Sequence, residues 1–248
     1  MTGRVTALWR HPIKGHGRET MDRVTMTKGQ TMPWDRRWAV AHELSKADDS
    51  AWSPCANFSS GAKIGALMAI NAKVNETTGM VTLTHPELPD LVFDPDREQY
   101  AFLDWVRPIM PANRAQSARI LRVEGRGMTD TDYPSISLIN TASNDVMSET
   151  MGQDISSLRW RCNIHVSGFA PWEEFDWVGK SIRVGSVEIA IREPIRRCLA
   201  TTANPATGER DADTLGTLNS HFGHQDFGVY GEVVKTGEIA LGDPVEVL

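Results

Sequence analysis

The sequence predicts a mainly β protein of the α+β class, with many short strands closing into a barrel-like sheet and a few short helices packed on it. Two observations carry that expectation. Short segments of alternating or β-branched apolar residues recur along the chain, each bounded by Gly, Pro or Asp. Helical periodicity is confined to three short stretches and never alternates with strands, which excludes a doubly wound parallel sheet.

In chain order, strands are expected at Arg4–Arg10, Arg23–Thr27, Arg37–Glu43, Lys63–Val74 and Met80–His85. A helix follows over Arg97–Pro108, with Phe102, Trp105 and Val106 on one face. The composition shifts at 108–117 (PIMPANRAQS), the best boundary between an N-terminal region, 1–112, and a C-terminal domain, 113–248. Arg119–Val123 reads as a strand, and Glu124–Tyr133, with its glycines and charges, as a loop. Ile136–Asn140 is strand-like and leads into a helix that Asn140, Thr141 or Ser143 would cap and Gly152 would end. Further strands are expected at Ile164–Val166, Ser181–Ile191, Tyr230–Lys235 and Pro244–Val247. A short helix near Asp213–Phe222 would display Leu215, Leu218 and Phe222.

Composition narrows the function. At 248 residues with 40% hydrophobic and 23% charged residues, the chain has ordinary globular usage. Its longest apolar run, Ile64–Ile70, is far short of the ~20 residues of a membrane span, and no apolar leader follows Met1. Cys55, Cys162 and Cys198 are too few, and odd in number, for a disulfide framework. A cytoplasmic protein with no membrane partner is therefore expected. The net charge of −6 argues against nucleic acid. Yet Arg159, Arg161, Arg192, Arg196 and Arg197 lie close in sequence, and a local cationic site in an acidic protein suits a small anionic ligand.

No Gly-x-Gly-x-x-Gly, Walker loop, His-Glu-x-x-His or Cys-x-x-Cys is present. His221 and His224 are separated by Gly223, a turn residue, and have no carboxylate neighbour in sequence, which argues against zinc. The Gly-rich turn around Lys14 (HPIKGHGRE) could hold an anion through backbone N–H groups and the lysine. Cys198 follows two arginines at a strand end. Adjacent cations favour a thiolate, which is a nucleophile and a soft-metal ligand. From the residues alone, a buried and inert cysteine is the competing reading.

Several separated segments, in order, resemble the MOSC domain family, found at the C-terminus of molybdenum cofactor sulfurases and in amidoxime-reducing molybdenum proteins. His11-Pro12-Ile13-Lys14 is similar to its early Tyr-Pro-Val-Lys element, and Asp35-Arg36-Arg37-Trp38 to its Asp-Arg-Phe-Trp strand. Arg161-Cys162-Asn163-Ile164 resembles its Arg-Pro-Asn-Ile strand, with Leu138 to Ser143 as the helix start before it. Arg197-Cys198, followed by Thr201-Thr202 and Asn204-Pro205, resembles its cysteine strand. Phe227-Gly228 with Tyr230, and Gly242-Asp243-Pro244-Val245, resemble its closing strands.

The resemblance implies a MOSC-type β-barrel at 113–248 beside a β-rich MOSC N-terminal region at 1–112. It implies the molybdenum cofactor (Mo-molybdopterin), with the sulfur of Cys198 as metal ligand and catalytic residue. Lys14, Arg36 and Arg161 would bind the phosphate or pterin, and Ser143, Asn163, Arg197 and Tyr230 would complete the pocket. Pyridoxal phosphate is not expected, because in the sulfurases that chemistry belongs to a separate, larger domain. Three functions remain open: a reductase of N-hydroxylated or N-oxide small molecules served by a separate electron-donor protein, a non-catalytic cofactor carrier or insertion protein, and a cofactor-free barrel. The chain departs from the pattern at Gly15, where the family has serine, and at Cys162, where it has proline. It departs again at Cys55-Ala56-Asn57, where the family is rich in Gln and Arg.

Overall fold

The computed structural model describes residues 2–248. The strands of the first half are β1 (Thr2–Arg10), β2 (Ile13–Lys14), β3 (Glu19–Met21), β4 (Arg23–Met26), β5 (Trp38–His42), β6 (Asn71–Val74), β7 (Val81–His85) and β8 (Leu88–Phe93). Helix α1 (Gln99–Val106) and strand β9 (Ser117–Leu121) lead to β10 (Ile136–Asn140), α2 (Thr141–Met151) and β11 (Ile164–Ser167). The chain continues through β12 (Ser181–Val184), β13 (Val187–Arg196), α3 (Thr214–Thr217), β14 (Asp226–Lys235), β15 (Gly237–Ala240) and β16 (Pro244–Val247).

Seven strands close a barrel in the order β11-β10-β14-β13-β12-β16-β1, with β1 returning to β11. All pairs are antiparallel except β10–β11. Alternation dictates the interior. Val5 and Leu8 from β1, Ile136 and Leu138 from β10, and Val187, Ile189 and Ile191 from β13 are all buried in one cluster. The β4–β15 ribbon adds Val24, Met26 and Ile239 to the same core. The first half builds a second core from the β2-β5-β9 and β6-β7-β8 sheets and α1, whose Phe102, Leu103, Trp105 and Val106 face inward. The fold is thus the mainly β barrel with three short helices that the sequence predicts.

Helix α2 is framed as expected. Asn140 accepts a hydrogen bond from the Ala142 amide at 3.3 Å, and Gly152 ends the helix at φ 64°. β2, β3, β8 and β15 answer to no expected strand, and two expected strands are divided differently. Lys63–Val74 is not one strand: Gly65–Ala69 is a 3-10 turn, and only Asn71–Val74 is extended. Its apolar residues are buried either way, and a buried apolar run does not declare its period. Ser181–Ile191 is two strands joined by a hairpin at Gly185-Ser186, where φ is +57° at the glycine. Glu124–Tyr133 carries neither helix nor strand, as its composition predicts. Among the described residues, no helix is long and apolar enough to cross a membrane.

Candidate functional site

A cavity of about 300 Å3 opens where the barrel meets the first half of the chain. Of the residues the sequence singles out, Lys14, Arg36, Arg161, Arg197, Cys198 and Tyr230 line it. They arrive from five separate segments, so only the fold brings them together.

Lys14 is fixed because β2 pairs in parallel with β5, setting Lys14 opposite Ala39. Its Nζ donates to the carbonyls of Met128 at 2.9 Å and Thr129 at 3.0 Å, and to the Asp130 carboxylate. Arg36 and Arg161 both adopt φ +49°, a left-handed conformation unusual for residues with a side chain. Arg36 donates to the carboxylate of Asp35 and, at 3.1 Å, to the carbonyl of Arg161. The two turns therefore hold each other. Asp35 also receives the His11 amide at 2.7 Å. Burial opposes ionisation of Asp35, but the Arg36 charge outweighs it and holds the carboxyl below the usual range.

Arg161 is the unfinished member. One end donates to the carbonyl of Gly17 at 3.1 Å, while its Nη1 is buried with no hydrogen-bond partner. Burial first, then the charges of Arg36 and Arg18, push its pKa down to about 9. The guanidinium remains charged at neutral pH, yet no carboxylate is paired with it. Arg18, also buried, donates only to the carbonyls of Met68, Ile70 and Pro205. Four cations thus stand against the carboxylates of Asp35 and Asp130. A buried donor without a partner costs of order 1–3 kcal/mol, more when charged. An anion in the cavity would remove that cost, so the residues present fit a phosphate-bearing group.

Cys198 leads into a 3-10 turn, Leu199–Thr202, whose first amide and hydroxyl, those of Thr201, donate to its carbonyl. Its thiol is exposed at the cavity. Arg197 is committed to structure: it donates to Phe227 O at 2.8 Å and Trp160 O at 2.7 Å, and its Nη2 lies 3.2 Å from Cys162 Sγ. Among the described residues, no group of three or more His, Cys, Asp or Glu side chains is placed to hold a metal by itself. A metal here would bring most of its ligands with it and need only one thiolate from the protein.

Two residues implied by the resemblance do not line the cavity. Asn163 is fully buried behind it. It accepts from the Ser137 hydroxyl at 2.8 Å and donates to Trp9 O at 3.1 Å, pinning β10 and β11 to β1 and backing Arg36. Ser143 faces away on α2, donating to the buried carboxyl of Glu174 at 2.8 Å and accepting the Trp172 amide. Burial pushes the Glu174 carboxyl up to about 7.

Two lining residues carried no motif. Asp130, from the Glu124–Tyr133 loop, accepts from Lys14, from Cys55 Sγ at 3.1 Å and from Tyr230 Oη at 3.4 Å. Burial opposes its ionisation, but Lys14 and Arg36 hold its carboxyl far below the usual range. Cys55 has its thiol pushed up to about 12 by burial and by Asp130. Gly15 explains one departure from the family pattern: at φ +76°, a Cβ there would meet the Ser59 carbonyl at 2.7 Å, so this turn excludes serine.

Parts of this chain are similar to known proteins. The Molybdenum cofactor sulfurase of Drosophila grimshawi is 30% identical over 144 residues, covering 52% of this chain and 18% of that protein. The Mitochondrial amidoxime-reducing component 1 of Mus musculus is 28% identical over 153 residues, covering 56% of this chain and 44% of that protein. This chain thus spans less than half the length of either relative. Among solved structures, the YUAD protein of Bacillus subtilis aligns over 100% of this chain and 96% of its own, with TM-score 0.48 and 12% identity. The MOSC domain matches residues 128–246 and the MOSC N-terminal beta barrel domain matches residues 2–105, so the chain belongs to the MOSC family.

Proposed function

We propose that this protein binds the molybdenum cofactor, Mo-molybdopterin, in the cavity and reduces N-hydroxylated or N-oxide compounds there. The observation that carries the reading is the buried, unpartnered Nη1 of Arg161, set among cations that outnumber their carboxylates, in a cavity that also presents the Cys198 thiol. Arg161, Arg36 and Lys14 would hold the phosphate, since guanidinium and ammonium donors give short, strong bonds to such oxygens. Cys198 would be the protein's thiolate ligand. When bound, the cofactor supplies a metal that exchanges electrons with the oxygen-bearing substrate.

The chain's own residues do the rest. Lys14 must release Asp130 in part to reach a phosphate, and the Asp130 side chain, 44% exposed, would keep water as a partner when it does. Asn163 and Asp35 keep Arg36 in place from behind. Cys198 and Leu199 are exposed, which leaves the thiol side of the cavity open to a small molecule. Electrons would come from a separate donor protein. The similarity to an amidoxime-reducing component and to a molybdenum cofactor sulfurase supports the cofactor and the substrate class.

Molybdenum content tests this directly. The wild-type protein, expressed where other molybdenum proteins are loaded, should carry near-stoichiometric metal and turn over an amidoxime with an artificial reductant. Cys198→Ser should lose the metal while keeping a single cooperative unfolding transition and the circular dichroism of the wild type. Full occupancy in that variant would overturn the ligand assignment. A loaded wild type without turnover would leave a carrier rather than a reductase.

A further inference from the structure

Consecutive arginines in the segment Trp34-Asp35-Arg36-Arg37-Trp38 point into different cavities. Arg36 enters the cavity described above. Arg37 enters a second one, of about 440 Å3, on the other side of the segment. This second cavity is lined by Arg37, Arg122, Arg126, Trp34, Thr27 and Thr31, with the loop Gly125 to Gly127 along its rim. Nothing in the proposed cofactor chemistry uses it.

The charges here are under-compensated. The Arg37 guanidinium carbon lies over the Trp34 ring at 4.5 Å and over the Trp38 ring at 5.5 Å, so cation–π contact rather than ion pairing holds it. Its Nε is buried and has no hydrogen-bond partner. Burial first, then the charge of Arg122, lowers its pKa from the ordinary arginine value, with Asp96 opposing. That carboxylate is already engaged, by Arg122 at 3.0 Å and by the Trp38 indole at 2.8 Å. Arg126 donates only to carbonyls, those of Gly127, Thr131 and Asp132. The acids in the lining are Asp35, taken by Arg36 and His11, and exposed Glu124. Trp34 itself sits at φ +64°, a conformation that persists in a bulky residue only where the surroundings impose it. Its reward is a ring placed under Arg37.

A guanidinium held over an indole ring rather than by a carboxylate keeps N–H donors available to an oxyanion. We infer that this cavity is a second anion site, separate from the cofactor cavity, that takes a small oxyanion-bearing molecule through Arg37, Arg122 and Arg126. The shared chemistry is a phosphoryl or carboxylate group held by guanidinium forks above an indole. It does not depend on what occupies the first cavity.

The arginine Nε–H groups allow an atom-specific test by nitrogen-15 NMR. The signal lost in Arg37→Gln identifies Arg37. In the wild type that signal should shift saturably with inorganic phosphate or with malonate, and not with sodium chloride at equal ionic strength. The tighter of the two names the group that the site takes. The shift should persist in Arg161→Gln, where the first cavity is disabled. Arg122→Gln should weaken the response about tenfold or more, the value of a charge-assisted hydrogen bond. A shift that matches chloride for both anions, or that vanishes in Arg161→Gln, would overturn the inference. Arg122→Gln keeps the test independent of whether Arg37→Gln folds.

Discussion

Arg161 combines two costs at one position: a left-handed backbone and a buried donor with no acceptor. Each is of order 1–3 kcal/mol. Replacing it with glycine removes both, since glycine accepts positive φ freely. Arg161→Gly should therefore raise the unfolding midpoint while weakening binding of the proposed phosphate-bearing cofactor by about 1.5–3 kcal/mol. Calorimetry and equilibrium binding measure the two effects separately. A lower midpoint with unchanged affinity would show that the charge is satisfied without a ligand. This residue was legible in the sequence because it sits in a motif beside Asn163. Asp130 was not, because its role comes from a loop whose sequence carries no pattern. Ser143 shows the converse: it stands in a motif-like segment, yet its hydroxyl is committed to Glu174.

At the scale of elements, the glycine in β14 decides how closely strands approach the site. Gly228 has φ +72°, and a Cβ there would lie 2.3 Å from the Leu138 carbonyl and 3.3 Å from Arg197 Nη2. Gly228→Ala should cost more than about 1 kcal/mol through both strain and contact, and should move the Arg197 side chain that braces Phe227 and Trp160. Urea unfolding reads the loss, and an unchanged midpoint would mean the strand shifts without penalty. Strands with clean alternation, such as β13, were legible element by element. The 3-10 turn at Gly65–Ala69 was not, because Leu67, Met68 and Ala69 are consecutive buried residues with no solvent face to betray a period. The short β2 and β3 fall below the length at which periodicity speaks at all.

The whole molecule carries opposed titrations. Burial drives His11 down to about 3, and His16 and His165 to about 4. A depressed histidine stabilises the fold above its unfolded pKa of ~6.5, and that contribution is lost as pH falls toward the folded values. Glu174, raised to about 7, has the opposite sign: it favours the folded state at low pH, and that contribution is lost as pH rises from ~4.5 to 7. Between those limits three histidines oppose one carboxyl, and each group is worth about 1.4 kcal/mol per pH unit at most. Stability should therefore fall by about 2–3 kcal/mol per unit on acidification from pH 6.5, and Glu174→Gln should steepen the fall. Urea midpoints at pH 7 and pH 5 check this, and equal midpoints would mean the histidines are not held neutral. None of it was legible in the sequence, where a histidine shows its spacing and not its burial.

The first strand of the chain, β1, is bonded to β16 near the C-terminus on one side and to β11 on the other. The barrel is thus a ring whose last stave is laid first and waits for the others. During synthesis, β1 leaves the ribosome with neither neighbour available, and the ring closes only after the final strand emerges. Without β1, the remaining staves would present two open edges, the rims of β11 and β16, each a template for a foreign strand. The anion cavity shares that fate, because the chain that follows β1 carries Lys14 and Arg36 to its wall. Closure of the ring and assembly of the site are therefore one event.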